Sequence, residues 1–205
     1  MLSRRTLLAA LPLSALLGRA AAGASESAEA AAFVQLLADQ VIKVLTDKAL
    51  GKDERVTALA AVFLDGFDVR AIGLFVLGVY GRNVPEPARQ SYLAVFKDYV
   101  VQSYAVRFNS YAGESFAVTR TAPDGENGSW VFSDIGKKGE EPTEVQWRVR
   151  ANAGTYKIID VVVEGVSLLV TQRSEFSSVL QRNNGSVPSL TALLRDKIVE
   201  LRKKS

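Results

Sequence analysis

Five carboxylates lie beside apolar segments and could do acid/base chemistry: Asp65, Asp68, Asp98, Asp160 and Glu164. A pair of them with pKa values pushed apart would suit chemistry of the glycosidase kind. Their positions favour a plainer use. Asp68 stands at a helix start, while Asp160 and Glu164 flank a turn, where hydrogen bonding accounts for such residues. The chain has no histidine and no cysteine, so a Ser-His-Asp or Cys-His nucleophile system and any metal site built on imidazole or thiolate are excluded. Disulfide and zinc-finger scaffolds go with them. No GxGxxG or GxxxxGK[ST] phosphate loop occurs either. No catalytic residue, metal or cofactor is assigned.

The aromatic set Tyr92, Phe96, Tyr99, Tyr104, Phe108, Tyr111, Phe116, Trp130, Trp147 and Tyr156 could line a pocket or fill a core. Arg148, Arg150, Lys157, Lys137-Lys138 and Arg202-Lys203-Lys204 could meet phosphates, but Glu140, Glu141, Glu144 and Glu200 are interleaved with them. An ordinary solvated surface is expected, and no nucleic-acid partner.

The 205 residues are 48% hydrophobic and 23% charged, the composition of one globular domain. The net charge of +3 is concentrated at the start of the chain. Arg4, Arg5 and Arg19 are three of the 25 basic residues, and no acid precedes residue 25, so residues 25–205 hold 22 of each sign. Ser3 to Leu8 is a charged n-region, Leu7 to Leu17 a short apolar h-region, and Ala22-Gly23-Ala24 a small-residue cleavage site. The adjacent arginines resemble the twin-arginine (Tat) export signal; Leu7 stands where that pattern prefers Phe, which leaves the Sec route open. The h-region is about half the roughly 20 residues of a spanning helix. Cleavage after Ala24 is expected, giving a leader of residues 1–24 and a single domain of residues 25–205, free in the periplasm.

The elements that must position these residues follow from period. Phe33, Leu36, Leu37, Val41, Val44 and Leu45 recur at helical steps between Ala28 and Leu50. A second helix capped by Asp53 runs through Phe67, and a third from Asp68 to Tyr80 is apolar on all sides, so it must be buried. Pro85 and Pro87 open a fourth helix, whose Leu93, Phe96, Val100, Tyr104 and Phe108 hold one face to about Tyr111. Gly113 stops it. Ser115–Ala122, Ser129–Ile135, Thr143–Ala151 and Thr155–Val163 read as four antiparallel strands. Val145, Trp147 and Val149 give the third strand one apolar face. Ile158 to Val163 is apolar on both faces apart from Asp160, so this strand should lie centrally. Helices follow over about Ser167–Arg182 and Ser189–Lys203. The apolar surplus does not by itself separate a tight core from an apolar cavity.

Three blocks carry a resemblance. The first is Ile159-Asp160-Val161-Val162-Val163-Glu164-Gly165-Val166-Ser167-Leu168-Leu169, followed by Arg173-Ser174-Glu175-Phe176. The second is Phe67-Asp68 through Val76-Leu77-Gly78-Val79-Tyr80, continuing to Pro87, Phe96, Tyr99, Tyr104 and Tyr111. The third is Val145-Gln146-Trp147-Arg148 followed by Gly154-Thr155-Tyr156-Lys157. Taken together in their order along the chain, over most of residues 60–195, these blocks make the chain resemble the MlaC, or toluene-tolerance, family of periplasmic phospholipid-binding proteins. Gly81-Arg82 and Tyr156 depart from the family's usual aromatic residues.

The resemblance implies an α+β fold: a twisted four-stranded antiparallel sheet covered by helices, similar to the nuclear-transport-factor-like roll with an added helical part, and an apolar cavity between the layers. It implies a non-enzymatic carrier with phospholipid as cargo. Its partners would be an inner-membrane ABC lipid-transport complex and an outer-membrane lipoprotein complex, touched transiently, and its role the maintenance of outer-membrane lipid asymmetry. The expected lining is Leu77, Phe96, Val100 and Tyr104 from helices, Trp147, Val149, Ile159, Val161 and Val163 from the sheet, and Val166 and Leu169 beyond it. A hopanoid or other isoprenoid cargo, and a periplasmic enzyme on a similar roll, are the competing readings. Asp160 facing the cavity would favour the enzyme.

Overall fold

The change from helical to strand period near Gly113 divides the fold in two. The computed structural model describes residues 14–203 apart from 109, 110, 138 and 153, with side chains from Ser25 onward except that of Phe108. The n-region Ser3–Leu8, most of the h-region and Lys204 therefore lie outside the described residues.

Four helices come first. They are α1 (Ser14–Thr46), α2 (Lys52–Gly66), α3 (Val69–Leu77), which runs into a 3-10 turn at Gly78–Gly81, and α4 (Glu86–Phe108). The strands are β1 (Ser115–Pro123), β2 (Gly128–Gly136), β3 (Thr143–Asn152), β4 (Thr155–Val163) and β5 (Val166–Ser167), and α5 (Leu168–Arg182) and α6 (Val187–Arg202) end the chain. The sheet is antiparallel throughout, in the order β1-β2-β3-β4-β5.

The helix ends follow from local chemistry. Gly51, rather than Asp53, caps α2, and its N–H donates to the Glu54 carboxylate at 2.8 Å. The Asp68 carboxylate accepts from Ala71 N–H and opens α3. That helix stops at Leu77, short of Tyr80, because Gly78 takes a φ of 56° that side chains disfavour. Nor is it buried all round: Phe75 is exposed, as is Val79 in the turn that follows. Gly73 explains the small residue inside α3. A Cβ there would meet Phe96 Cδ1 at 2.9 Å, and its carbonyl accepts from the buried Tyr92 hydroxyl at 3.0 Å.

The fifth strand was not expected from the sequence. Glu164 and Gly165, at φ 50° and 80°, form a two-residue turn of the kind that reverses twisted strands, and Val166 folds back onto Val163. β4 is also not central. Only Val162 and Val163 pair with β5, and the rest of that edge is met by the α2–α3 junction, where Phe67 bridges Ile158 and Asp68 N–H donates to the Ile158 carbonyl at 3.0 Å. Its two-sided apolarity has this cause: the strand is enclosed by elements from other parts of the chain.

Two apolar clusters result. Val76, Leu77, Tyr92, Phe96, Phe176, Leu180, Val187, Leu190 and Leu194 join α3 through α6. Ala30, Val34, Leu37, Val131, Val145, Val149, Ile158 and Val161 join α1 to one face of the sheet. α1 is seated at one end of the sheet by contacts across the chain. Ser27 and Ser129 hydroxyls lie 3.3 Å apart, Tyr156 donates to Glu29 at 2.7 Å, and the Phe33 and Tyr156 rings pack at 5.9 Å. Leu36, expected on the buried face of α1, is exposed. Among the described residues, no helix is long and apolar enough to cross a membrane.

Candidate lipid-binding cavity

Along the two clusters lie two adjoining pockets, lobes that share part of one wall, of about 400 and 440 Å³, each within the roughly 300–1,000 Å³ typical of ligand sites. The first lobe is bounded by Val34, Leu37, Val41 and Leu45 of α1, by Val62 and Phe63 of α2 with Phe67 beyond it, and by Val145, Trp147, Ile158, Val161 and Val163 of the sheet. The second is bounded by Ile72 and Val76 of α3, Phe96, Tyr99 and Val100 of α4, Ile159 and Asp160 of β4, and Leu168 and Leu169 at the start of α5. Phe63, Phe67, Tyr104, Arg107, Val161 and Leu168 border both.

The polar atoms of the walls are mostly engaged elsewhere. The Trp147 indole N–H donates to the Ser133 hydroxyl at 2.9 Å, so the ring offers the cavity an apolar surface. Burial pushes the Tyr104 hydroxyl above its ordinary pKa, keeping it protonated. At the α4–β1 end, Tyr111, Glu114 and Ser115 give the first lobe its polar rim together with Arg107. The Ala112 N–H, donating at 2.8 Å, and Lys137 beside it hold Glu114 below the usual carboxylate range.

Asp160 does border the second lobe and is buried. Its Oδ1 accepts from the Val161 and Leu169 N–H groups, at 2.8 and 3.1 Å, and its Oδ2 from the Ser167 hydroxyl at 2.7 Å. Ser167 in turn caps α5 by accepting from Val170 N–H. The carboxylate is thus the anchor that fixes the β4–β5 hairpin to the first turn of α5. The recognisable segment Asp160–Leu169 is, in physical terms, one capped hairpin.

Of the expected lining, Tyr104, Trp147, Val161 and Val163 border the first lobe, and Phe96, Val100, Tyr104, Ile159, Val161 and Leu169 the second. Leu77, Val149 and Val166 do not border either. Leu77 is fully buried in the helical cluster. Val149 has the inward parity of Val145 and Trp147 but pairs with Ser129, beneath the end of α1 held by Ser27, and is only 1% exposed. Val166 follows the turn and is exposed.

A bulge accounts for the presence of both Ile158 and Ile159 on the walls. Arg148 pairs with Asp160 but Val149 with Ile158, leaving Ile159 as an extra residue that directs its side chain to the second lobe. Strict alternation along β4 could not anticipate this. Sequence reasoning also missed the walls made by α1 and α2. The three- and four-residue spacing of Val34, Leu37, Val41 and Leu45 was the available signal, but core and cavity faces have the same period. Among the described residues, no cluster of three or more acidic side chains suits a metal ion.

A solved structure with the same architecture is the phospholipid-binding protein from Ralstonia solanacearum, described in complex with a phospholipid. It is 21% identical, with a TM-score of 0.73 over 84% of this chain and 98% of that one. At that identity the likeness speaks for the fold. The helices, sheet and capped hairpin that enclose the cavity fall almost wholly within residues 35–196, which match the family model described as MlaC protein, and the chain accordingly belongs to the MlaC family.

Proposed function

We propose that this protein is a non-enzymatic phospholipid carrier of the periplasm, exported by its N-terminal leader, which moves lipid between an outer-membrane lipoprotein complex and an inner-membrane ABC transporter and so maintains outer-membrane lipid asymmetry. The observation that carries the proposal is the pair of adjoining lobes, whose walls are apolar over most of their extent; the polar residues of the first gather at the α4–β1 end, and those of the second include Ser103, Asp160, Thr171, Gln172 and Glu175. The Ralstonia solanacearum relative, described in complex with a phospholipid, supports the cargo.

The energetics suit the task. Two chains of about 15 methylenes each, at ~0.8 kcal/mol per CH₂, cost roughly 24 kcal/mol to leave in water. Predominantly apolar walls remove most of that cost and bring source and destination closer in free energy, which reversible hand-off requires. No bond is made or broken, and the carboxylate an enzyme would need, Asp160, has both oxygens committed to the hairpin.

The test is purification of the mature chain from the periplasm without detergent, organic extraction, and mass spectrometry against a matched control protein. Stoichiometric two-chain phospholipid is expected. A hopanoid would replace the cargo, and repeated absence of lipid would overturn the reading.

A further inference from the structure

Arg107 occupies the one stretch of wall where charge and both lobes coincide. Of the residues shared by the lobes, Phe63, Phe67, Val161 and Leu168 are apolar and Tyr104 is a neutral phenol, which leaves Arg107. Among the described residues that border either lobe it is also the sole cation. The other charged groups that border the lobes are the acids Glu114, Asp160 and Glu175.

Its place is set by stacking. The Phe67 and Phe63 rings lie 4.3 Å apart, Phe63 and Tyr104 5.1 Å, and the Arg107 guanidinium is 5.9 Å from the Tyr104 ring centre. An aromatic ladder thus runs along the shared wall and ends in an exposed cation. Such a side chain near a helix C-terminus also complements the helix dipole, a purely structural use that the experiment must separate from recognition.

We infer that Arg107 binds the phosphodiester of the cargo lipid, so that the site distinguishes phosphoglycerides from uncharged two-chain lipids. The inference rests on the carrier reading and deepens it. A lipid with its chains in the two lobes has its glycerol at their junction, and its phosphate leaves the apolar walls beside Arg107. The guanidinium fork matches phosphate oxygens in a bidentate manner.

The test loads delipidated protein from vesicles holding equal amounts of palmitoyl-oleoyl-phosphatidylglycerol and palmitoyl-oleoyl-glycerol, which share their chains and differ in the phosphate. Native mass spectrometry reads both the ratio of the two bound lipids and the total occupancy. The wild type is expected to favour the phospholipid. Arg107→Gln should lower that preference about tenfold, as loss of a charge-assisted hydrogen bond requires, and Arg107→Lys should restore much of it. An unchanged ratio in Arg107→Gln overturns the inference, whether or not the variant melts earlier. Uptake of neither lipid by the wild type overturns the carrier reading and this inference with it.

Discussion

Val163 and Val149 share the inward parity of the sheet, yet the structure gives them different tasks. Val163 borders the first lobe, and Val149 is sealed beneath α1. Val163→Trp should therefore displace most of the extracted lipid while shifting stability by about 1–3 kcal/mol, because the added volume has a cavity to enter. Val149→Asp should leave a buried charge with no partner and cost about 3–5 kcal/mol, read as an earlier urea midpoint with or without lipid. Equal effects of the two on lipid and stability would contradict the assignment. Tyr156 gives a pH test at the same scale. Its bond to Glu29, with lesser contributions from burial, pushes the phenol up to about 12 from 10.0. The unfolded phenol ionises near 10, so the contribution of the bond is whole below about pH 10 and is lost as the pH rises through about 12. The stability difference between wild type and Tyr156→Phe, from urea titrations, should be constant up to about pH 10 and vanish by about 12; a constant difference throughout would show that the bond does not tie α1 to the sheet.

Individual elements explain both what the sequence conveyed and what it withheld. Asp68 and Ser167 at helix starts, and the Gly113 break, were readable because caps and stops act over three or four residues. The Glu164-Gly165 hairpin was not, although its residues are adjacent. A strand of two residues leaves no period to detect, and the hairpin is held by Asp160, seven positions before Ser167. Asp160→Ala should leave three donors without their acceptor and cost roughly 2–3 kcal/mol, with the amides of Val161 and Leu169 exchanging hydrogen faster. Asp160→Asn keeps one acceptor oxygen and should fall between the two. If Asp160→Ala matched the wild type in both stability and exchange, the anchoring role would be wrong. Ile158 was missed on the wall of the first lobe for a related reason, since a bulge depends on the partner strand and inverts the parity of everything on one side of it.

At the scale of the molecule, fold class was legible because period and turn chemistry were consistent along most of the chain, and the ordered blocks pointed to the family. The cavity was only partly legible. Leu77, Phe96 and Val100 carry the same apolar signal on successive helices and pack in one cluster, and only packing decides that Phe96 and Val100 also border the second lobe while Leu77 does not. The separation of the two clusters yields a prediction on the carrier reading. Delipidation should lower the melting temperature, since ligand bound only to the native state stabilises it. Amides of α1 and α2 should lose protection while those around Leu180 and Leu190 retain it; uniform loss across both clusters would mean that they do not behave as separate units. The apolar walls also set the thermal character of cargo exchange. A chain taken from a bilayer interior leaves one hydrocarbon environment for another, with little change in wetted apolar surface and so a small heat-capacity change. The same chain taken from water carries a large negative one. On the carrier reading, the enthalpy of hand-off from a membrane is thus nearly independent of temperature.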